Sequence, residues 1–387
     1  MWHRRLRRGL AGLLVAALAA TTAFVVLEPF RIAVQTLALV PELLDSGPKP
    51  LSLLVPTPER ISVTYGTATQ ERLDLYLPRD GAERHPAILL ALGVSPAPLD
   101  DPRVVRVATA IARLGLIVAV PESTALMANR IDREEPARLV EAFEVVAARP
   151  EVSPERVGIV GFSVGGSLGL LASTHPRIAG RVSFVNAFGA YGDAATLLAE
   201  VATRRIVVRD EVRAWQPGEL TKRVYLGIVL DVIADPAARA SVGEAIAPII
   251  AGDGPTASSY DPAVAAGLSG DALAIYQLVT TPDRASAETA IARLSEPSRE
   301  LLAAISPDRA AAGLRAPVFL MHDEADNAIP FSQLGPLAAA VPPAVLRRVS
   351  AFRLFDHVEP DGGIELETLP ELWELYRHLH DVLGEAL

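Results

Sequence analysis

The sequence predicts an α/β protein whose mainly parallel sheet is covered by helices on both faces and interrupted by a helical insertion. Three observations carry this. First, the apolar runs "AILLALG", "LIVAV", "VGIVG", "RVSFVNAFG", "PVFLMHD" and "VLRRVSAFRLF" are short and largely continuous, as strands buried on both faces must be. Second, amphipathic patterns such as "PRVVRVATAIARLG" and "EEPARLVEAFEVVAARP" lie between several of them. Third, residues 191–305 break the rhythm with helix-like segments and no convincing buried strand.

Taken in order, the chain opens on "MWHRRLRRGLAGLLVAALAATTAFVVLEPF", with Arg4, Arg5, Arg7 and Arg8 ahead of an uncharged run from Gly9 to Leu27. A run near twenty residues suffices to span a bilayer as a helix. Residues 1–28 are therefore expected to form an N-terminal transmembrane anchor. The rival is a signal segment cleaved after "TTA", but the apolar run continues past Ala23 through Val26 and Leu27. Arginines on the near side stay in the cytoplasm, so the remaining chain is expected to be extracytoplasmic, or secreted if the segment is cleaved. Residues 29–60 hold Pro29, Pro41, Pro48, Pro50, Pro56 and Pro58 and read as a Pro-rich stalk. Within it "FRIAVQTLALVPELL" is apolar enough to lie on a membrane or dock on the domain. "ISVTYG" and "RLDLYLP" alternate apolar with polar and predict a starting hairpin. Residues 61–190 and 306–387 then form the core.

Composition removes several function classes. The chain has 387 residues, half of them apolar, and a formal net charge of −10 with no basic stripe, so no nucleic-acid partner is expected. With no cysteine, disulfides, thiolate metal sites and a cysteine nucleophile are all absent. The seven histidines show no metal-ligand spacing, and no metal is expected.

The most informative stretch is "RVGIVGFSVGGSLGLLAS". Gly161-Phe162-Ser163-Val164-Gly165 fits G-x-S-x-G between a strand and a helix, where a strained turn exposes a serine hydroxyl at the end of a sheet. Gly166 and Gly169 would let the following helix pack close to the strands. A dinucleotide loop needs G-x-G-x-x-G, which is absent, and a glycine-rich packing turn is the bland alternative. A serine attacks only if a histidine takes its proton and a carboxylate orients that histidine. On such an elbow the chain order is Ser, acid, His. "APVFLMHDEADNAIP" places an acidic cluster after a buried strand, and "AFRLFDHVEP" places His357 after the last one. His3, His85, His175, His378 and His380 compete poorly: the last two lie on a C-terminal helix and are expected to be solvated. Glu122 is expected to cap the segment after "LIVAV".

With these residues in hand, the chain resembles the α/β-hydrolase family in its dienelactone-hydrolase and esterase-like branches, over about residues 61–190 and 306–387. In that family the acid strand leads into H-G-x-x-D-x-x-V-P. Here His322-Asp323-Glu324-Ala325-Asp326-Asn327-Ala328-Ile329-Pro330 matches at His322, Asp326, Ile329 and Pro330. The resemblance implies an α/β-hydrolase fold with residues 191–305 as a lid, and Asp326 as the acid ahead of Asp323, which stands where the family has glycine. It makes His322 a structural residue of that loop; Asp356, beside His357, is expected to be a solvated or capping carboxylate, with substitution for the acid as the alternative. The resemblance further implies an oxyanion hole from the backbone N–H groups of Val164 and Val94, and no cofactor. The function expected is a serine hydrolase cleaving a carboxylic ester or related acyl bond through Ser163, His357 and Asp326, its partner a small-molecule ester. A peptidase or acyltransferase using the same triad, and a non-catalytic membrane-anchored scaffold, stay open as alternatives. The apolar lid segments "YLGIVLDVIADP" and "APIIAGDG" face either substrate or the lid's own core, with the core favoured.

Overall fold

The computed structural model describes residues 27–387 together with Thr22 and Phe24, apart from 69, 96–97, 253–258, 282, 358 and 361–365. The predicted hairpin is formed by β1 (Glu59–Tyr65) and β2 (Glu71–Leu77), paired antiparallel from Glu59 opposite Leu77 to Tyr65 opposite Glu71. Next come β3 (His85–Ala91), β4 (Ile117–Pro121), β5 (Val152–Phe162) and β6 (Val182–Phe188). Past β7 (Arg205–Val208) and β8 (Glu211–Ala214), the core closes with β9 (Val318–Asp323) and β10 (Leu346–Phe352). The eight-stranded sheet has the order β1-β2-β4-β3-β5-β6-β9-β10. β2 runs antiparallel to β4, and from β4 to β10 every neighbouring pair is parallel.

Alternation along each strand builds two cores. Leu73, Leu75, Leu89, Ile117 and Ile159 belong to the core that includes Val140 and Phe143 of helix Glu135–Ala147 and Leu168 of helix Val164–Ser173. Tyr76, Ile88, Leu90, Val118 and Val160 belong to the other, with Ala108 and Ile111 of helix Pro102–Ala112 and Val382 and Leu383 of helix Leu369–Ala386. Both faces are thus covered, and no polar alternation interrupts β4 or residues 157–161 of β5. Each fully buried Leu or Ile contributes about 1.5–3 kcal/mol of transfer free energy.

The Pro-rich segment departs from the expected stalk. Residues Glu28–Leu43 form a helix, with Pro29 in its first turn, where a missing N–H costs no intrahelical bond, and Pro41 near its end. The docking alternative is the one realised: Ile32 and Leu39 join the second core. Glu42 fastens the following turn by accepting hydrogen bonds from the backbone N–H and the hydroxyl of Ser52, both at 2.8 Å. The opposite side of this helix leaves Leu27, Phe30, Val34 and Leu37 exposed. Among the described residues no helix is long and apolar enough to cross a membrane. The anchor expected over 1–28 lies almost entirely outside those residues.

Residues 191–305 are mostly helical, as expected, with Ala194–Thr203, Glu219–Asp231, Pro236–Ala251, Gly270–Val279, Arg284–Ala292 and Glu296–Ala304. The hairpin β7–β8 is an element the apolar pattern does not reveal. Its strands have four residues each; β7 buries Ile206 and Val208, but β8 is exposed throughout, so the pair is too short and too open to read as buried strand. In the apolar segment "YLGIVLDVIADP", Tyr225, Val229, Val232 and Ile233 enter the core, and Tyr225 and Ile228 also line a cavity beside Ser163.

His378 also departs from expectation. It is fully buried, and its Nε2 lies 2.8 Å from Asn186 Oδ1 on β6. Burial pulls its pKa down to about 3, aided by the positive charge of Arg348. It therefore stays neutral in the fold while the unfolded chain protonates near the ordinary histidine value of 6.5. The unfolded state then binds more protons between these two values, so this residue's contribution to stability is present above about 6.5 and drains away as the pH falls toward about 3. Replacing His378→Gln is expected to flatten that part of the stability–pH curve, as read by urea unfolding from pH 7 to pH 4. An unchanged slope would assign the acid sensitivity to other groups.

Candidate active site

Ser163 sits at the junction of β5 and helix Val164–Ser173 with φ 55° and ψ −132°, a conformation that non-glycine residues rarely adopt. Two backbone bonds hold it there: its N–H donates to Phe188 O at 2.7 Å, and its carbonyl accepts from Gly166 N–H at 2.9 Å. The glycines answer to close approach. A Cβ on Gly165 would fall 2.2 Å from Ala91 O and 2.4 Å from Leu92 O, so the helix start abuts the end of β3 directly. The side chain of Ser163 is half-buried.

Asp326 follows β9 in the loop that the H-x-x-x-D-x-x-I-P pattern marks. Its carboxylate is buried and fully engaged. Oδ1 accepts from the backbone N–H of Ala328 at 2.8 Å and of Ile329 at 2.9 Å. Oδ2 lies 2.7 Å from His357 Nδ1 and 3.4 Å from His322 Nε2. Burial disfavours the charged form, but His357 and His322 outweigh it and hold the carboxyl well below the usual carboxylate range. A charged carboxylate can only accept, so the His357 proton is on Nδ1 and the neutral ring's Nε2 keeps its lone pair. His357 has φ 60° and sits just inside the turn closed by the pairing of Asp356 with Glu359 and Phe355 with Pro360.

His322 is the structural residue expected: it is fully buried, with Nε2 2.9 Å from Ile329 O. Asp323 proves more than a departure from the glycine pattern. Its Oδ2 accepts from Leu354 N–H at 2.8 Å and Phe355 N–H at 2.9 Å, and its Oδ1 from Ala325 N–H at 2.8 Å. It thus joins the loop bearing Asp326 to the segment that delivers His357, and it does not bond His357 itself. Burial raises its pKa despite those bonds. Glu122 does not cap the next segment, because the hydroxyl of Ser123 accepts from Leu126 N–H there. The side chain of Asp356 lies outside the described residues.

Val164 is the first residue of its helix, where a backbone N–H has no intrahelical acceptor. Val94 follows β3 and lines both cavities that reach Ser163. A Cβ on the neighbouring Gly93 would stand 2.9 Å from Ser163 Cβ, so this loop runs against the serine. Ser163 and His357 share one cavity of about 480 Å³. Another, of about 530 Å³ between the β7–β8 hairpin and the loop after β9, touches neither.

The insertion also carries residues that motif reading passes over. Trp215 Nε1–H donates to Asp326 O at 2.8 Å, Gly218 N–H to Asn327 O at 2.8 Å, and the Thr221 hydroxyl to Ala328 O at 3.0 Å. Three successive carbonyls of the acid loop are therefore held by the insertion. No local signal marks these donors, since the contact spans more than a hundred residues. Among the described residues no group of three or more His, Asp or Glu side chains is arranged to hold a metal ion.

Gly189, at the end of β6, has φ 64°, and a Cβ there would lie 3.3 Å from Asp326 Oδ2 and 3.4 Å from His357 Cε1. Gly189→Ala is expected to cost about 1–2 kcal/mol through the left-handed backbone alone. It should also slow reaction of Ser163 with a fluorophosphonate by disturbing the His357–Asp326 pair. Urea unfolding and labelling rate read the two effects separately, and an unchanged rate would show that the pair tolerates the methyl group.

Comparison with known proteins agrees with this architecture. Residues 118–202 match the dienelactone hydrolase family. A 2,6-dihydroxy-pseudo-oxynicotine hydrolase is similar in structure at 15% identity and a TM-score of 0.50, over 88% of this chain and 72% of that one. A dienelactone hydrolase from Anabaena variabilis aligns at 12% identity and a TM-score of 0.45, over 86% of this chain and 100% of its own. Dipeptidyl peptidase 4 of Porphyromonas gingivalis aligns at 13% identity and a TM-score of 0.49, over 86% of this chain but only 36% of its own, so this chain spans about a third of that peptidase. No curated protein matches the sequence. The strand order, the family match over residues 118–202 and the structural likeness together establish an α/β-hydrolase fold.

Proposed function

We propose that this chain is a serine carboxylesterase acting through an acyl-enzyme, with Ser163 as nucleophile, His357 as general base and then acid, and Asp326 as the orienting carboxylate. The observation that carries the reading is the 2.7 Å His357–Asp326 bond beside a strained Ser163 in one shared cavity. In the first half-reaction His357 Nε2 takes the hydroxyl proton as Ser163 Oγ attacks the ester carbonyl. The resulting imidazolium is stabilised by the buried charge of Asp326 and passes the proton to the departing alcohol oxygen. Water then repeats the sequence and frees the acid. The N–H groups of Val164 and Val94 are assigned to the oxyanion; one such donor is worth about 10²–10³ in rate. No step calls for a cofactor.

We also propose that the apolar run Gly9–Leu27 tethers the domain to a membrane, with the hydrolase extracytoplasmic. The exposed Leu27, Phe30, Val34 and Leu37 on the helix directly after that run support this reading. Carbonate extraction of full-length protein should leave it with the membrane, and recovery in the soluble fraction would overturn the tether.

Fluorophosphonate labelling tests the chemistry. The wild type should label, and Ser163→Ala and His357→Ala should abolish it. Asp326→Asn should lower kcat on p-nitrophenyl acetate by about 10⁴-fold, the loss seen when a triad carboxylate no longer fixes the tautomer. A well-folded wild type that neither labels nor hydrolyses that ester would favour the non-catalytic scaffold.

A further inference from the structure

Granted the roles proposed for Ser163 and His357, we infer that the site divides its substrate by size: a short acyl group on one side of Ser163 and a larger alcohol on the other. Two cavities meet at the serine. The smaller holds about 50 Å³, contains Ser163 and Val164 but not His357, and is walled by Leu198, Val201, Val224 and Ile228. The larger holds about 480 Å³ and is lined by both Ser163 and His357.

Proton transfer decides which part of the ester enters which cavity. The alcohol oxygen must come within hydrogen-bond reach of the imidazolium that protonates it. The alcohol therefore occupies the cavity that His357 lines, and the acyl substituent takes the other direction from the carbonyl carbon. The larger cavity is lined by Leu43, Leu92 and Phe162 as well as by Asp101, Arg103 and Arg223, so it has both the room and the mixed lining for a bulky alcohol, alkyl or polar. The smaller wall is almost wholly apolar.

Volume then limits the acyl group. At about 10–15 Å³ of such space per water-sized atom, the smaller cavity takes about three to five heavy atoms. An acetyl to butanoyl group fits and an octanoyl group does not. The wall resists widening because Leu198 is 1% exposed and Val224 9%, both packed into the main core. Val224 and Ile228, on the insertion helix Glu219–Asp231, are thus specificity-determining residues that no motif marks.

Isomeric esters test the division directly, because hexyl acetate and ethyl hexanoate have the same atoms with the bulk exchanged. Hexyl acetate should be cleaved with a kcat/KM about 10–200-fold higher, the range expected when a pocket discriminates by methylene groups. Along the p-nitrophenyl series, acetate and butanoate should exceed octanoate by a similar factor. Ile228→Ala, at a half-buried position, should move the optimum toward longer acyl chains, with a thermal melt confirming the fold. Equal or reversed rates for the isomers, or a wild-type optimum at octanoate, with Ser163 still labelled by fluorophosphonate, would overturn this division and leave the esterase reading intact. Absence of both labelling and turnover would instead overturn the esterase reading, and the division with it.

Discussion

The parallel run of the sheet is the constraint on which the site depends. Because β3, β5, β6, β9 and β10 all point the same way, their carboxyl ends share one edge. The loops leaving that edge carry Val94, Ser163, Gly189, Asp326 and His357. Residues nearly two hundred positions apart meet without any one loop reaching far, which is why ligand sites of open α/β sheets gather at this edge. The two buried cores hold the strands in register and so set the spacing of those loops.

On that frame, Asp326 and Asp323 divide the work of one short loop. Asp326 spends its carboxylate on its own backbone and on His357, and its low pKa keeps the charge that orients the imidazole. Asp323, three residues earlier, bonds the backbone of the segment that carries His357. The insertion adds a third restraint by capping the carbonyls of Asp326, Asn327 and Ala328. A lid that merely covered the serine would not be bonded to the acid loop. Here the insertion that lines the smaller cavity beside Ser163 is also bonded to the loop bearing Asp326.

The elements most legible in the sequence are those whose cause is local. The sheet strands read clearly because burial on both faces demands an unbroken apolar run. Ser163 reads clearly because the elbow needs residues without Cβ within two positions of it, and Gly161 and Gly165 supply them. Asp326 was legible through the resemblance at His322, Asp326, Ile329 and Pro330, and the structure shows the turn behind that pattern, with Oδ1 accepting from Ala328 and Ile329. The β7–β8 hairpin was not: its strands have four residues each, and β8 is wholly exposed, so the apolar run Ile206–Val208 is too short to stand out.

The sheet and the elbow are therefore local properties of the chain, because each follows from backbone conformation or burial over a few residues, while Asp326 and His357 read from the order and motif of the family the chain resembles. Tertiary structure decided the rest. It chose docking for helix Glu28–Leu43 and set His378 against Asn186 in the interior, where a helix histidine would ordinarily be solvated. It turned Asp323 from a substituted glycine into a clamp, and it divided the space at Ser163 into two unequal cavities. The physical reason is common to all four. Each depends on which surfaces meet after the chain has folded, and contacts across tens to hundreds of residues leave no periodicity in the sequence.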